Sequence, residues 1–148
     1  MPATGVMECV VVTPEATVFD GTLVFLALPL SDGEIGIGPH HAPMIGRLGY
    51  GEMRLQHGDN QTERFYIDGG FVQVKGDIVT VLTNRSVPAE KLDGKTIAEQ
   101  LAALRAKPVP TPEALAARER QVAQARGQLL VLRHAGQPAT ASANDGHH

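Results

Sequence analysis

The sequence has few of the residues that mark disulfide-rich, metal-binding or membrane-spanning proteins. Its 148 residues include one cysteine, no tryptophan and only 4% aromatic residues. The single cysteine, Cys9, excludes an intramolecular disulfide, and its apolar neighbours predict a buried, unreactive thiol. No apolar run approaches the roughly 20 residues that a membrane-spanning helix needs. The amino terminus lacks a basic segment followed by an apolar stretch, so we expect a soluble chain without a secretory signal.

Charge and motifs exclude several further classes of function. The 13 basic and 16 acidic residues give a net charge of -3, which argues against a nucleic-acid partner because such proteins carry a basic surface. The patterns GxxxxGK[ST], HExxH and GxSxG do not occur, and no GxGxxG leads from a strand into a helix. The sequence therefore shows no familiar nucleotide-binding or catalytic motif.

Residues 1–87 have the pattern of a β protein. Short apolar runs are separated by turn signals such as "SDG", "HGDN" and "IDGG". In "EMRLQ", Met53 and Leu55 alternate with polar residues, and this period of two is typical of a half-buried strand. We therefore predict an antiparallel β-sandwich or flattened barrel over residues 1–87.

Residues 88–135 are rich in helix-forming residues and predict an antiparallel two-helix hairpin. Thr111 is a natural N-cap and Pro112 suits the first position of the second helix. Apolar residues recur on one face of each helix: Ile97, Leu101 and Leu104 on the first, and Val122, Ala125, Leu129 and Leu132 on the second. The fold class is therefore α+β, and residues 136–148 are predicted to be a disordered tail.

The adjacent histidines of "GEIGIGPHHAP" allow three interpretations. A metal site would need further ligands, and candidates such as Glu34 and His57 stand at no motif spacing. If His40 and His41 lay on a strand, they would also point to opposite sides of it. A catalytic base would need a nucleophile that is not apparent. A structured recognition loop is favoured, while a cupin-like β-barrel metal enzyme and a free-standing β-sandwich binding module remain alternatives.

Two longer stretches carry a family resemblance. "FDGTLVFLALPLSDGEIGIGPHHAPMIGRLGYGEMRL" and "FYIDGGFVQVKGDIVTVLTNRSV" resemble the epsilon subunit of F-type ATP synthase, called delta in mitochondria. The resemblance covers residues 7 to 135. It implies a non-catalytic rotor subunit without a cofactor, bound to the gamma subunit and resting on the c-ring. It also implies a peripheral position at the cytoplasmic face of the bacterial inner membrane, reached only through the complex.

The resemblance also implies which residues meet the c-ring. Carried over by position, these are Glu34, Ile35, Gly36, Ile37, Pro39, His41, Ala42 and Pro43. Glycine and proline suit tight turns, so Gly36, Pro39 and Pro43 are expected to shape the loop. Glu34 and His41 are the better candidates for direct contacts, and we expect both side chains to be exposed.

In bacterial relatives the helices can extend along gamma and inhibit ATP hydrolysis in the alpha/beta head. The basic residues that would make such contacts here are Arg118, Arg120, Arg126 and Arg133. Some relatives also bind ATP through a Leu/Ile-Asp-x-x-Arg-Ala motif. Leu92 and Asp93 match it, but Thr96 and Ile97 replace Arg and Ala, so the phosphate-binding guanidinium is missing. Tight nucleotide binding is therefore not expected.

Overall fold

A computed structural model describes residues 5–136. Most of the predicted tail, residues 137–148, lies outside the described residues. Within residues 5–136 the chain forms eight strands, a short 3-10 helix and two α-helices. Their bounds are β1 (Met7–Val12), β2 (Thr17–Leu23), β3 (Phe25–Leu30), β4 (Gly33–Ile37), β5 (Met44–Gln56), β6 (Thr62–Lys75), β7 (Ile78–Leu82), β8 (Ser86–Pro88), the 3-10 helix (Ala89–Lys91), α1 (Gly94–Ala106) and α2 (Pro112–Ala135).

The strands form one sheet that encloses the core. Their order is β2-β1-β7-β6-β5-β3-β4, with β8 paired to β6. All pairs are antiparallel except β1 with β7. Buried side chains from all of the first seven strands meet in one apolar core, which requires the sheet to fold over on itself. The predicted β-sandwich is confirmed, and its last strand ends one residue beyond Val87.

Cys9 lies in this core, as predicted. Its side chain is completely buried. Burial, and secondarily the negative charge of Asp20, raise the pKa of the thiol to about 12. The thiolate, which is the nucleophilic form, is therefore disfavoured at neutral pH.

Strand β6 bends at Gly69 and Gly70. Both residues have left-handed backbones, with φ of 72° and 108°. Upstream of the bend, β6 pairs with β8, and downstream it pairs with β7. A Cβ atom at Gly70 would overlap the carbonyl oxygen of Leu82. The buried hydroxyl of Thr83 secures the bend, since it donates to the Gly69 carbonyl at 2.7 Å and accepts from the Asp68 amide at 3.2 Å.

The helical hairpin follows the sandwich, and its capping residues are those predicted for α2. The Thr111 hydroxyl accepts a hydrogen bond from the Ala114 amide at 3.1 Å, and Pro112 occupies the first turn. The apolar stripe of α2 lies beside α1: Val122 and Ala125 border residues 103–105, and Leu132 approaches Gly94. The two helices therefore pack on each other through the stripe that the sequence predicts.

Gly70→Ala should lower the free energy of unfolding by about 2–4 kcal/mol, because it adds a backbone clash to left-handed strain. Gly76→Ala is the matched control, since Gly76 also has a left-handed backbone but faces open space. Gly76→Ala should lower the free energy of unfolding only by the cost of the left-handed backbone, about 1–2 kcal/mol. Denaturant unfolding measures both, and equal losses would contradict the close approach to Leu82.

Candidate functional site

The histidine pair lies in the loop between β4 and β5, not on a strand. His40 has a left-handed backbone with φ of 63°, and its amide donates to Asp77 Oδ1 at 3.1 Å. The side chain of His40 is 73% exposed. The argument that adjacent residues point to opposite sides of a strand therefore does not apply here. Among residues 5–136, no three His, Cys, Asp or Glu side chains are grouped as metal ligands would be.

His41 is less exposed than expected. Its side chain is half-buried, and its Nδ1 lies 2.8 Å from the carbonyl oxygen of Ala42. Ala42 and Pro43 are exposed, whereas Pro39 is half-buried. The loop thus exposes His40, Ala42 and Pro43, whereas Pro39 and His41 are partly covered.

Glu34 is the second residue of β4 and His41 lies in the loop after the other end of this strand, so they do not form one compact patch. The strand is about 13 Å long at 3.3 Å per residue. Glu34 is 58% exposed, and its carboxylate lies 3.6 Å from Arg54 of β5. It belongs to the side of the sandwich that carries α2, whereas His41 lies near the β6–β7 turn.

Ile37 and Gly36 require a correction. Ile37 is completely buried in the sandwich core, so its side chain is not available to a partner. Ile35 is half-buried and packs against the same core. Gly36 lies within β4 and not in the turn, and the Phe25 ring covers it so closely that a Cβ atom would lie 2.5 Å from the ring. Ile35, Gly36 and Ile37 are therefore part of strand β4 and do not form the loop that follows it.

A buried carboxylate that sequence reasoning missed joins the sandwich to α2. Glu52 of β5 is only 2% exposed. Its oxygens accept from Arg54 at 3.0 Å and Arg64 at 3.1 Å, and both lie 3.0 Å from Nδ1 of His134, near the end of α2. Alternation predicts Glu52 to be a surface residue, so only the packing of α2 over β5 reveals it.

A second polar contact lies ten residues earlier on α2. Gln124 donates to both oxygens of Asp68, at 3.1 and 3.2 Å. Between the two polar contacts, Gly127 brings the helix backbone against the carbonyl of Tyr50 and the ring of Tyr66. Tyr66 is completely buried. Burial, and secondarily the charge of Asp68, raise the pKa of its phenol above the usual range.

The four arginines of α2 are not used by the docked hairpin as ion-pair partners. Within residues 5–136, none has a carboxylate oxygen within 4.0 Å. Arg118 is half-buried and donates to the carbonyl of Lys107 at 3.4 Å, whereas Arg120, Arg126 and Arg133 are exposed. Their positive charge is therefore available to another surface.

The first residues of α1 form a helix cap. The carboxylate of Asp93 accepts from the amides of Lys95 and Thr96 and, at 2.7 Å, from the Thr96 hydroxyl. These hydrogen bonds to the ionised form, led by Thr96, lower the pKa of Asp93. Ile97 is buried. The motif positions are thus engaged in starting and packing the helix.

An exposed apolar surface lies on β6 and β7. Phe71 and Leu82 face each other across these strands and are 51% and 52% exposed. Ile45 on the neighbouring β5 is 74% exposed. Large apolar side chains grouped on a sheet face are typical of a protein interface.

The architecture defines the class of protein: a β-sandwich that carries a packed helical hairpin. None of the described helices is long and apolar enough to cross a membrane. Residues 6–89 match the family model described as ATP synthase, delta/epsilon chain, β-sandwich domain. The chain belongs to this family as an epsilon-type, non-catalytic subunit of F-type ATP synthase. This confirms the resemblance and replaces both alternatives, the cupin-like enzyme and the free-standing module.

Individual relatives agree over most of the chain. The epsilon chain of Rhodopirellula baltica is 47% identical over 127 residues, which cover 86% of this chain and 98% of that one. The epsilon chain of Nitrosococcus oceani is 39% identical over 122 residues, 82% of each chain. The fold is also found in the mitochondrial ATP synthase of Euglena gracilis, in a complex of OSCP, F1 and c-ring. The match has a TM-score of 0.79 at 18% identity and covers 86% of this chain and 81% of that one.

We expect the isolated subunit not to bind ATP tightly, because Thr96 stands where the motif has its arginine and is hydrogen-bonded to Asp93. Calorimetry should show no stoichiometric heat at micromolar ATP. Replacing Thr96 and Ile97 with Arg and Ala tests the reason, since the added guanidinium should strengthen binding. A clear signal from the unaltered chain would contradict the prediction.

Proposed function

We propose that this subunit couples gamma to the c-ring in the central stalk of an F-type ATP synthase, at the cytoplasmic face of the bacterial inner membrane. Membership of the epsilon family carries the proposal. A related fold occurs in a structure of the Tetrahymena thermophila central stalk and c-ring, with a TM-score of 0.62 at 15% identity, covering 85% of this chain and 96% of that one. The chain reaches the membrane only through these partners.

The proposed ring-facing surface combines the exposed side of β4 with the loop that follows it. Strand β4 is at the end of the strand order, so one of its edges has no neighbouring strand in the part of the chain that the structure describes. The ring-facing surface comprises Glu34, His41, Ala42 and Pro43. Of these, Glu34 offers a full charge and His41 a polar ring, while the others allow close approach.

The proposed gamma-facing surface is the apolar group Ile45, Phe71 and Leu82. Its exposure supports a protein partner because burying large apolar side chains is favourable. Arg47 lies over the Phe71 ring, 5.9 Å from its centroid, and adds a positive charge at the margin. A gamma segment with apolar side chains flanked by an acidic one would complement this surface.

Replacing Glu34 and His41 together with alanine should reduce ATP-driven ion pumping severalfold in the assembled enzyme while ATP hydrolysis continues. The reason is loss of ring contacts without loss of the sandwich. Replacing His57 and Glu63 is the matched control, since this surface pair has the same residue types and a 2.6 Å contact in the β5–β6 hairpin. Pumping measured by dye quenching should be normal in the control. A fall in melting temperature of more than about 5 °C in the Glu34 and His41 variant would indicate a structural role instead.

We also propose that the hairpin restrains ATP hydrolysis by extending its unpaired arginines toward an acidic surface of the alpha/beta head. The sandwich core is complete without the helices, and a chain ending at Lys91 keeps β8 and the 3-10 helix. The sandwich and hairpin are therefore proposed to be separable units.

Ending the chain at Lys91 should raise ATP hydrolysis severalfold in the assembled enzyme. Changing Arg118, Arg120, Arg126 and Arg133 to glutamine should reproduce much of this rise, because the charge is lost while the helix remains. Changing them to lysine keeps the charge and should leave hydrolysis near its original rate. Unchanged hydrolysis in the shortened and glutamine variants would contradict an inhibitory hairpin.

A further inference from the structure

We propose that Glu52 is the anchor of the docked hairpin and that its contact with His134 sets the balance between docked and released hairpin. The inference rests on the proposed role of the hairpin as a mobile element, and it names the residues that hold this element in place. Both carboxylate oxygens of Glu52, on β5, lie 3.0 Å from Nδ1 of His134, near the end of α2.

Helix α2 uses separate faces for its two neighbours. At about 100° per residue, Gln124, Gly127, Val131 and His134 fall within an arc of about 80°. The stripe that packs beside α1, Val122 to Leu132, falls on the opposite side of the helix. Leaving the sandwich would therefore not separate the two helices from each other.

The apolar contact between hairpin and sandwich is small. Among the described residues, one buried apolar cluster joins them: Tyr66, Ala89 and Val131, with Val87 and Leu92 partly buried around them. Val131 is the member of this cluster that comes from α2. Polar contacts at Gln124 and His134 therefore contribute a large share of the attachment.

The chemistry of Glu52 makes its contact with His134 reversible. A buried carboxylate that loses all its partners would be strongly destabilising. Here Arg54 and Arg64 belong to the sandwich itself, so both stay beside Glu52 when α2 leaves. Release thus removes one of three partners and leaves the carboxylate compensated by two guanidinium groups. The sandwich keeps its charge balance in either state.

Gly127 shows how closely the helix must approach for His134 to reach Glu52. A Cβ atom there would lie 3.0 Å from the Tyr50 carbonyl oxygen and 3.1 Å from the Tyr66 ring. Alanine would push α2 outward although it favours the helix itself. Gly127→Ala is therefore an independent way to weaken docking without touching the charges.

Docking can be measured in the free, full-length subunit through Tyr66. The chain has two tyrosines, so a Tyr50→Phe background leaves Tyr66 as the only one. Its ring is completely buried beneath the hairpin, and tetranitromethane should nitrate it only after release. In this background, His134→Ala should speed nitration about 10- to 100-fold, as expected for losing a hydrogen bond to a charged group.

His57→Ala is the matched control, because it removes a histidine–glutamate contact at the surface of the sandwich. It should change the nitration rate less than threefold, and Gly127→Ala should raise it as His134→Ala does. Equal nitration rates for the His134 and His57 variants would overturn the proposal that the contact between Glu52 and His134 anchors the hairpin.

Glu52→Gln tests the other partner. Adding His134→Ala to Glu52→Gln should speed nitration little further, because both act on one contact. Fully additive effects would overturn the assignment. Circular dichroism and a cooperative unfolding transition confirm that the sandwich of each variant is folded. Since nitration is measured without the ATPase, a hairpin that docks through Glu52 but does not inhibit hydrolysis would refute only the proposed restraint of ATP hydrolysis and leave the anchor in place.

Discussion

Strand β6 pairs with three other strands, and it can do so only because the chain bends at Gly69 and Gly70. The left-handed backbones of both glycines let β6 pair with β8 before the bend and with β7 after it. The missing side chain of Gly70 makes room for the Leu82 carbonyl. The parts of β6 before and after the bend take part in different contacts. The half before it carries Tyr66 beneath α2, and the half after it carries Phe71 on the exposed apolar surface.

The sandwich therefore provides different surfaces for the proposed contacts with gamma, for those with the c-ring and for the docking of the hairpin. Arg54 is the point at which two of them meet. Its guanidinium lies 3.6 Å from Glu34, on the proposed ring-facing surface, and 3.0 Å from Glu52 under α2. A charge that binds Glu34 would act on the same guanidinium that compensates the anchor.

Much of the fold could be predicted because its signals are local. Alternation at Met53 and Leu55, the turn at "HGDN" and the cap at Thr111 each depend on a few neighbouring residues. Two chain stretches also carried the family resemblance, which the family model confirms. The candidate site was harder to predict: Ile37 is in the core, Gly36 lies under Phe25, and Glu34 is on β4 whereas His41 is in the loop that follows it. Their surroundings depend on neighbouring strands.

The sequence by itself determined that strands precede two helices along the chain, where the second helix starts, and the family. These follow from hydrophobic period, turn chemistry and motif, which are properties of consecutive residues. Only the tertiary structure decided that Glu52 is buried, since its burial arises when His134, 82 positions later in the chain, is brought over β5. Gly127 is likewise unremarkable in the sequence, and its need for glycine exists only where α2 meets the Tyr50 carbonyl. Contacts between distant parts of the chain are set by packing, which no local pattern records.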